Sequence, residues 1–239
     1  MVVRRNVVTS LAASRPLAPA GVGLASERAR ERMVQSLHEI GIRDPDVLAA
    51  MQQVPRHQFI EAGLASRAYE DVALPIGHGQ TISRPSTVAR MIETVASTIP
   101  RSVRKTARVL EVGTGCGYQA AVLAALFGEV VSIERVRGLH ETARANLRPM
   151  RLPNLRLVFG DGRLGAPSMA PFDAIVVAAA GAEISDDLLI QMGVPARLLA
   201  PIERDGAQAL HLVERIGQES WQLTVLDAVR FVPLRAGTT

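Results

Sequence analysis

The sequence has few of the residues that build cross-links, stacking surfaces or membrane spans. Cysteine occurs once in 239 residues and aromatic residues make up 3%. An intramolecular disulfide or a cysteine-built zinc site is therefore impossible. Single-stranded nucleic acid would find few rings on which to stack. Apolar runs that approach the ~20 residues needed to cross a bilayer are missing, and the five histidines are scattered without ligand spacing, so we expect no metal site.

The charge of the chain is positive but dispersed. The 27 basic side chains outnumber the 23 acidic ones, which gives a net charge of +4. Lys105 is the only lysine, and a codon preference explains the excess of arginine as well as phosphate recognition does. Without a basic tract, the sequence gives no sign of a nucleic-acid partner. We expect a cytoplasmic monomer that binds neither nucleic acid nor membrane.

The chain divides into an extension and one domain. Residues 1–25 contain no acidic residue and carry three arginines, but the stretch after Arg5 is too polar and too short for an export signal. We predict a disordered extension over residues 1–20. Residues 21–239 are predicted to form a single domain, with a helical and substrate-loop part over 21–100 and a cofactor-binding core over 101–239.

The first part of that domain is predicted to be mostly helical. Ser26 is expected to cap a helix over 27–40, and Asp44-Pro45 to start a second helix that runs to Met51. Residues 69–86 contain two glycines, two prolines and several polar side chains, so we predict a long irregular loop, which in a compact protein is usually functional. A third helix is predicted over 86–97.

The second part alternates between strands and helices. Apolar runs predict parallel strands over 108–112, 130–134, 155–159, 172–178 and 197–201, with helices over 119–127 and 136–148. The runs at 209–214 and 221–232 follow without a helix between them, which predicts an antiparallel hairpin at one edge. The fold class is therefore α/β, a doubly wound, mostly parallel sheet with N-terminal helices and a C-terminal antiparallel hairpin.

A glycine-rich turn follows the first strand of this core. It reads Glu111-Val-Gly-Thr-Gly-Cys-Gly-Tyr118, and ligands of such folds lie at the carboxyl ends of the strands. A dinucleotide site needs Gly-x-Gly-x-x-Gly, but Tyr118 takes the place of the third glycine. The observed spacing is characteristic of methyltransferases that use S-adenosylmethionine. The predicted cofactor residues of this turn are Glu111, Gly113, Thr114, Gly115, Gly117 and Tyr118.

Two later acids strengthen the prediction of an S-adenosylmethionine site. Glu134 ends the second strand of the core, where a carboxylate can accept hydrogen bonds from both ribose hydroxyls. Asp161, followed by Gly162, comes after the third strand and is placed to meet the adenine amino group. Either acid alone could be a solvated carboxylate at a strand end. Acids after three successive parallel strands favour a cofactor site, to which we assign Glu134, Asp161 and Gly162.

The end of the fourth strand bears on the methyl acceptor. Enzymes that methylate amino groups commonly carry an Asn/Asp-Pro-Pro-aromatic motif there, whereas this chain reads Ala178-Ala-Ala-Gly181. An apolar wall suits an acceptor that needs no deprotonation. A carboxylate, with a pKa near 4, is such an acceptor at neutral pH.

Several segments resemble one family of methyltransferases. These segments are Val54-Pro-Arg-His-Gln-Phe59, Ala68-Tyr-Glu-Asp71, Leu74-Pro-Ile-Gly-His-Gly-Gln-Thr-Ile-Ser83, the glycine turn with its Tyr-Gln-Ala continuation, Gly160-Asp-Gly162, Pro171-Phe-Asp-Ala-Ile-Val176 and Phe231-Val-Pro-Leu234. Together they resemble the protein-L-isoaspartate O-methyltransferase family from roughly Gly21 to Leu234. The resemblance implies methyl transfer to the carboxylate of isoaspartyl residues in damaged proteins and peptides.

The resemblance also implies roles for individual residues. Ser83 would be the active-site serine, which we interpret as a positioner of the acceptor and not as a covalent nucleophile. Thr81, Ser83 and the backbone around Val232 would hold the isoaspartyl peptide, and Gln80 would contribute to the same pocket. The chain departs from the family pattern at Arg84, where glutamine is usual, and before the fifth strand of the core, where the usual Gly-Gly is missing.

Two other functions remain open at this stage. The same core and the basic composition fit an RNA or small-molecule methyltransferase, although the amino-methylation motif and a basic tract are missing. The altered turn before the fifth strand would also fit a regulatory protein that binds the cofactor and has lost catalysis.

Overall fold

Helices flank a seven-stranded sheet in the computed structural model, which describes residues 21–239 and the side chains of 27–239. The predicted extension over residues 1–20 lies outside the described residues. The helices are α1 (Gly21–Glu39), α2 (Pro45–Gln53), α3 (Pro85–Ala96), α4 (Tyr118–Leu126), α5 (Arg137–Leu147) and α6 (Asp186–Leu189). The strands are β1 (Leu74–Gly77), β2 (Gln80–Ile82), β3 (Arg108–Val112), β4 (Glu129–Glu134), β5 (Leu155–Phe159), β6 (Phe172–Val177), β7 (Met192–Arg204), β8 (Ala207–Arg215) and β9 (Trp221–Ala228).

The order of the strands confirms the predicted fold class. The main sheet runs β5-β4-β3-β6-β7-β8-β9. The first five of these strands are parallel, whereas β8 is antiparallel to both β7 and β9. The winding of the chain reverses between β3 and β6, and ligands of such sheets bind outside the carboxyl ends of the strands at this point. The predicted hairpin at one edge is present.

Both faces of the sheet are covered by apolar side chains. Along β3, Val109 belongs to the cluster that includes α1–α4, whereas Leu110 belongs to the cluster on the opposite face. Burying each such side chain contributes about 1.5–3 kcal/mol. Because the first cluster joins the N-terminal helices to the sheet, the two parts of the predicted domain share one core.

The sequence located α2 correctly. Asp44 caps this helix by accepting hydrogen bonds from the backbone N–H groups of Asp46 (2.9 Å) and Val47 (3.3 Å). Burial works to raise the pKa of Asp44, but hydrogen bonds from Arg104 and from these N–H groups outweigh it and lower the pKa. Arg104 precedes β3 and is itself buried, so the ion pair fixes α2 to the start of the core.

The start of α1 differs from the prediction. The helix begins at Gly21, so Ser26 is a helical residue and not the cap. Serine is well suited to a cap but is also tolerated within helices, and the chain continues in helical conformation through it. A serine before an apolar pattern is therefore not sufficient to place a helix start.

The predicted irregular loop over 69–86 was also partly wrong. It contains the β1–β2 hairpin, in which Leu74 pairs with Ile82 and Gly77 pairs with Gln80. The connecting residues His78 and Gly79 have φ of 53° and 67°, as in a type I′ turn, which matches the twist of the flanking strands. The two-residue His-Gly turn was the signal for a hairpin.

The bounds of the last three strands differ from the prediction: β7 and β8 are longer than predicted, whereas β9 ends at Ala228 and not at Val232. Strands β7 and β8 span 13 and nine residues, and the short helix α6 lies before β7. No helix among the described residues is long and apolar enough to cross a membrane.

Candidate active site

The glycine-rich turn forms the floor of a cavity at the carboxyl end of β3. Gly113, Gly115 and Gly117 have φ of 96°, 56° and 94°, values that side chains rarely allow. A Cβ at position 117 would lie 2.8 Å from Cδ1 of Leu147, so this position has no room for a larger residue. The backbone N–H of Gly113 donates to the carbonyl of Ile133 (2.9 Å), which holds the turn against the end of β4.

Glu134 connects the glycine turn to the start of α5. Its Oε2 accepts a hydrogen bond from the N–H of Gly115 (2.8 Å), and its Oε1 accepts one from the N–H of Val136 (2.8 Å). The side chain is buried and lines the cavity. Each oxygen retains a lone pair that can accept a hydrogen bond from a ligand, so the predicted ribose contact is geometrically available.

A second cavity lies on the side of the β1–β2 hairpin. It is lined by Ser83, Arg84 and the segment 228–232. Thr81, Ala178 and Val232 line both this cavity and the one above the glycine turn. The two cavities therefore meet at these three residues, which the sequence analysis placed at the acceptor site or at the apolar wall.

The polar groups at this meeting point are free to bind an acceptor. Within the described part of the chain, the hydroxyls of Thr81 and Ser83 form no hydrogen bond, and the N–H of Val232 has no acceptor. The carbonyl of Val232 accepts a hydrogen bond from the N–H of Ala180 (2.8 Å), which fixes the backbone there. Gln80 lines the first cavity, and its side-chain amide donates to the carbonyl of His78 (3.3 Å).

Glu111 does not line either cavity and lies beneath the glycine turn. It is fully buried and accepts a short hydrogen bond from Ser132, whose hydroxyl also contacts that of Thr114 at 2.6 Å. Burial raises the pKa of Glu111 to about 8, although the hydrogen bond from Ser132 works against this. Oε1 of Glu111 and Nε2 of Gln119 have no hydrogen-bond partner among the described residues.

Tyr118 is also buried and supports the turn from below. Its ring packs edge-on against Phe59, with 5.6 Å between the ring centroids, and the guanidinium of Arg56 lies 5.0 Å from the ring centroid. Arg56 is fully buried, and its Nε donates to the carbonyl of Ala68 (2.8 Å). This arginine joins the segment before the hairpin to the start of α4. Its role was missed because nothing in the sequence distinguishes a buried arginine from an exposed one.

Asp161 lies beside the first cavity and contacts residues 235–239, which we term the tail segment. Its Oδ1 accepts a hydrogen bond from the N–H of Arg163 (2.9 Å), and its Oδ2 accepts one from the N–H of Gly237 (2.6 Å). Arg135 holds the same segment, because its Nε donates to the carbonyl of Gly237 (2.8 Å). Gly162 lines the cavity itself. No motif in the sequence predicted the contacts of the tail segment.

The fold and the cavity together define a class of protein. A doubly wound sheet with a glycine turn at its switch point and a carboxylate after the next strand defines the class of α/β proteins that bind nucleoside-containing ligands at the carboxyl ends of the strands. A family model described as protein-L-isoaspartate(D-aspartate) O-methyltransferase matches residues 27–239. The chain belongs to this family, as the sequence resemblance predicted.

Named relatives and solved structures agree with this membership. A protein named protein-L-isoaspartate O-methyltransferase from Burkholderia mallei (strain SAVP1) is 58% identical over 217 residues, which cover 90% of this chain and 66% of the relative. The relative of the same name from Burkholderia thailandensis is 57% identical, and the match covers 90% of this chain and 65% of that protein. The chain thus spans slightly less than two thirds of the length of these relatives.

The fold is also shared with solved structures. A Plasmodium falciparum crystal structure, titled as a protein-L-isoaspartate O-methyltransferase in complex with S-adenosyl-L-homocysteine, has a TM-score of 0.76 and 25% identity. The similarity covers 86% of this chain and 98% of that one. A second structure, titled protein-L-isoaspartate O-methyltransferase, has a TM-score of 0.77 and 28% identity, with 87% of this chain and 66% of that chain covered. The architecture is therefore the Rossmann-like methyltransferase fold.

Proposed function

We propose that the protein transfers a methyl group from S-adenosylmethionine to the carboxylate of L-isoaspartyl residues in damaged proteins and peptides. The observation that carries this proposal is the meeting of two cavities at Thr81, Ala178 and Val232, in a chain of this family. Glycines and a buried carboxylate line one cavity, and free hydroxyl and N–H donors line the junction and the other. The arrangement suits a cofactor and an acceptor that approach each other from two sides.

The residues of the first cavity fit the cofactor. The positive φ values of Gly113 and Gly115 allow close backbone approach to a ligand, and Glu134 supplies acceptors for the ribose hydroxyls. Gly162 and Asp161 lie at the adenine end. Thr114, Gly117 and Tyr118 shape the turn, and Glu111 lies beneath it, where it accepts a hydrogen bond from Ser132. Bound S-adenosylmethionine supplies a methyl group on a positively charged sulfur, which a carboxylate oxygen displaces in line to give a methyl ester and S-adenosylhomocysteine.

The residues of the second cavity fit an ionised acceptor. Ser83 and Thr81 donate hydrogen bonds that orient a carboxylate without neutralising it. The free N–H of Val232 adds a third donor, and Gln80 closes the pocket beside them. Because the acceptor carboxylate is ionised at neutral pH, alignment of the two reactants supplies much of the rate. Ser83 is accordingly a catalytic residue that positions the acceptor.

The proposal extends to the organisation of the protein. We propose that residues 21–239 act as one methyltransferase domain, because the N-terminal helices and the sheet share a hydrophobic cluster. One chain lines both cavities, so a monomer can complete the site. We further propose a cytoplasmic protein without a nucleic-acid or membrane partner. Light scattering after size-exclusion chromatography would contradict the monomer if it gave twice the 25.6 kDa of the chain.

A pair of matched peptides tests the proposed activity. An isoaspartyl peptide and its normal aspartyl counterpart are incubated with the enzyme and methyl-labelled S-adenosylmethionine. We expect base-labile methyl ester on the isoaspartyl peptide alone. Equal labelling of both peptides, or labelling of neither, contradicts the proposal. Transfer RNA and ribosomal RNA serve as further acceptors, and label on either would favour an RNA methyltransferase.

A further inference from the structure

A large groove lies at the end of the sheet opposite the candidate active site. It runs past Gly128 and Glu129 at the start of β4, past Leu155 at the start of β5, and along the last turns of α5, and its volume is about 1140 Å³. Glu134 and Asp161 lie at the other ends of these two strands, and the glycine turn lies at the same end of the neighbouring strand β3. The groove is therefore separate from the proposed methyl-transfer site.

The groove combines an apolar floor with a basic rim. Leu152, Leu155 and Leu157 are half-buried and pack against the hydrophobic core, so each keeps apolar surface in the groove. The rim carries four exposed arginines. These are Arg144, Arg148, Arg151 and Arg156.

The rim arginines are not neutralised by the protein. None of the four forms a salt bridge within residues 27–239, and the only side-chain hydrogen bond of the set is a long contact from Arg156 to Sδ of Met169 (3.6 Å). Two carboxylates line the groove, and one of them, Glu129, is already bonded to Arg108 (2.8 Å). The rim therefore has an excess of positive charge.

Two features of the backbone distinguish the groove from an ordinary basic surface. Arg151 has φ of 49°, a left-handed conformation that is uncommon for residues other than glycine. β5 is the edge strand of the main sheet and pairs with β4 alone among the described strands. An edge strand offers backbone groups to a further strand.

We propose that this groove binds an extended acidic peptide segment of a partner protein, with apolar side chains on the leucine floor and carboxylates on the arginine rim. Guanidinium groups bind carboxylates through paired hydrogen bonds, and an extended peptide can add to a sheet edge through its main chain. The positive rim and the unpaired edge strand both select for such a segment. The groove thus provides an attachment point that does not overlap the methyl-transfer site.

Nucleic acid fits the same groove less well. None of the described residues that line it is aromatic, so unpaired bases have no ring among them on which to stack. The leucine floor would also lie against polar sugar and phosphate groups, and such a contact contributes no favourable hydrophobic free energy. An acidic peptide with apolar residues satisfies both the floor and the rim.

Fluorescence anisotropy with dye-labelled peptides tests the proposal on the full chain. The probes are a 12-residue peptide of alternating Glu and Leu, a peptide of alternating Glu and Ser, and a single-stranded RNA of similar length. We expect the Glu/Leu peptide to bind more tightly than the other two. The double substitution Arg148→Ser and Arg151→Ser should weaken its binding about tenfold, because it removes two of the four rim charges that pair with the carboxylates of the peptide.

A matched control separates the groove from the overall charge. The double substitution Arg90→Ser and Arg204→Ser removes two exposed arginines elsewhere, and binding should change less than about twofold. Equal losses in the two double variants, equal binding of the Glu/Ser peptide, tighter binding of RNA, or no binding to the unsubstituted protein would overturn the proposal. Circular dichroism melting verifies that both variants fold. Methylation of a short isoaspartyl peptide should stay unchanged in the Arg148/Arg151 variant. If the proposed activity is wrong, neither the variant nor the unsubstituted protein will methylate this peptide, whereas binding of the Glu/Leu peptide to the groove will still be measurable.

Discussion

The two cavities that meet at Thr81, Ala178 and Val232 are built in different ways. The cofactor side consists of backbone turns with positive φ and of carboxyls that are already bonded to the protein, such as Glu134 and Glu111. The acceptor side consists of the short β1–β2 hairpin, with an exposed Thr81 and a half-buried Ser83 whose hydroxyls have no partner in the described chain. The cofactor side is therefore preformed, whereas the acceptor side presents hydrogen-bond donors that are free to bind a ligand.

This difference predicts where substitutions act. On the cofactor side the site residues are also structural residues, so a substitution should change the free energy of unfolding together with cofactor binding. On the acceptor side the donors support nothing else, so a substitution should change turnover alone. The comparison fails if substitutions on the two sides have the same effects.

The largest expected effect is that of Gly162→Ala on the cofactor side. The added Cβ would lie 2.3 Å from Cγ1 of Val112, which itself lines the cavity. We expect the free energy of unfolding to fall by about 1–3 kcal/mol, with weaker binding of S-adenosylhomocysteine as Val112 moves into the cavity. Urea denaturation and calorimetry measure the two changes. Gly63→Ala is the control, because no atom of the described chain lies within 4 Å of its Cβ position. A similar loss of stability and of S-adenosylhomocysteine binding in both variants would contradict the assignment of Gly162 to the cofactor cavity.

Glu111 should make stability depend on pH. Its pKa in the folded protein, raised by burial to about 8, lies above its usual value of 4.5, so the folded protein retains a proton that the unfolded chain releases. The free energy of unfolding should therefore fall as the pH rises from 4.5 to 8, by at most about 1.4 kcal/mol per pH unit, and the effect should level off above pH 8. Urea denaturation at pH 6 and pH 8 measures this change.

The variant Glu111→Gln removes the titrating group and isolates its contribution. Its stability should fall less between pH 6 and pH 8 than that of the unsubstituted protein. Glu129→Gln, at the half-exposed start of β4, should leave the slope unchanged. If all three proteins lose stability in parallel, Glu111 is already ionised at pH 6.

Ser83→Ala should show the opposite behaviour on the acceptor side. Removing one donor to a carboxylate costs about 1.5–3 kcal/mol, so kcat/KM for an isoaspartyl peptide should fall about 10- to 100-fold. The dissociation constant of S-adenosylhomocysteine and the melting temperature should stay the same. Ser168→Ala, in an exposed turn far along the chain, is the control. A loss of cofactor affinity in the Ser83 variant would show that this serine contributes to the cofactor cavity and not to the acceptor cavity alone.

Glu134→Gln should weaken cofactor binding by about tenfold. The amide retains one acceptor oxygen but cannot serve the N–H groups of Gly115 and Val136 together with two ribose hydroxyls. Leaving one such group unpaired costs about 1–3 kcal/mol. Calorimetric titration with S-adenosylhomocysteine gives the change, and Glu129→Gln in the same strand serves again for comparison. Unchanged affinity would show that the ribose lies elsewhere.

The contrast between the two sides also explains what the sequence could predict. The sheet, the switch point and the glycine turn follow from apolar runs and glycine spacing, which are local in the chain. Glu134 was located in the same way, because an acid after a parallel strand lies at a known end of the sheet. The β1–β2 hairpin was missed although its His78-Gly79 turn is a local signal, because the surrounding glycines and prolines suggested irregular structure.

Contacts between distant residues could not be predicted from one sequence. Arg56 reaches Tyr118 and the carbonyl of Ala68 because of tertiary packing, and no spacing rule links these positions. Glu111 was assigned to the cofactor because it precedes the glycine turn, yet its side chain lies beneath the turn on Ser132. The direction of a side chain across a buried strand depends on the register of the sheet, which composition does not reveal.

The smallest expected effect concerns the tail segment, which adds long-range hydrogen bonds to the preformed side. Arg135 holds it through hydrogen bonds to the carbonyls of Gly237 (2.8 Å) and Ala236 (3.4 Å). Because these exposed contacts contribute less than about 1 kcal/mol, Arg135→Ala should raise the dissociation rate of S-adenosylhomocysteine about threefold, measured by stopped-flow displacement. The control Arg163→Ala keeps the hydrogen bond from the backbone N–H of residue 163 to Asp161, so it should not change the dissociation rate. An unchanged rate in the Arg135 variant would mean that the tail segment is not a wall of the cofactor cavity and that Asp161 alone closes its adenine end.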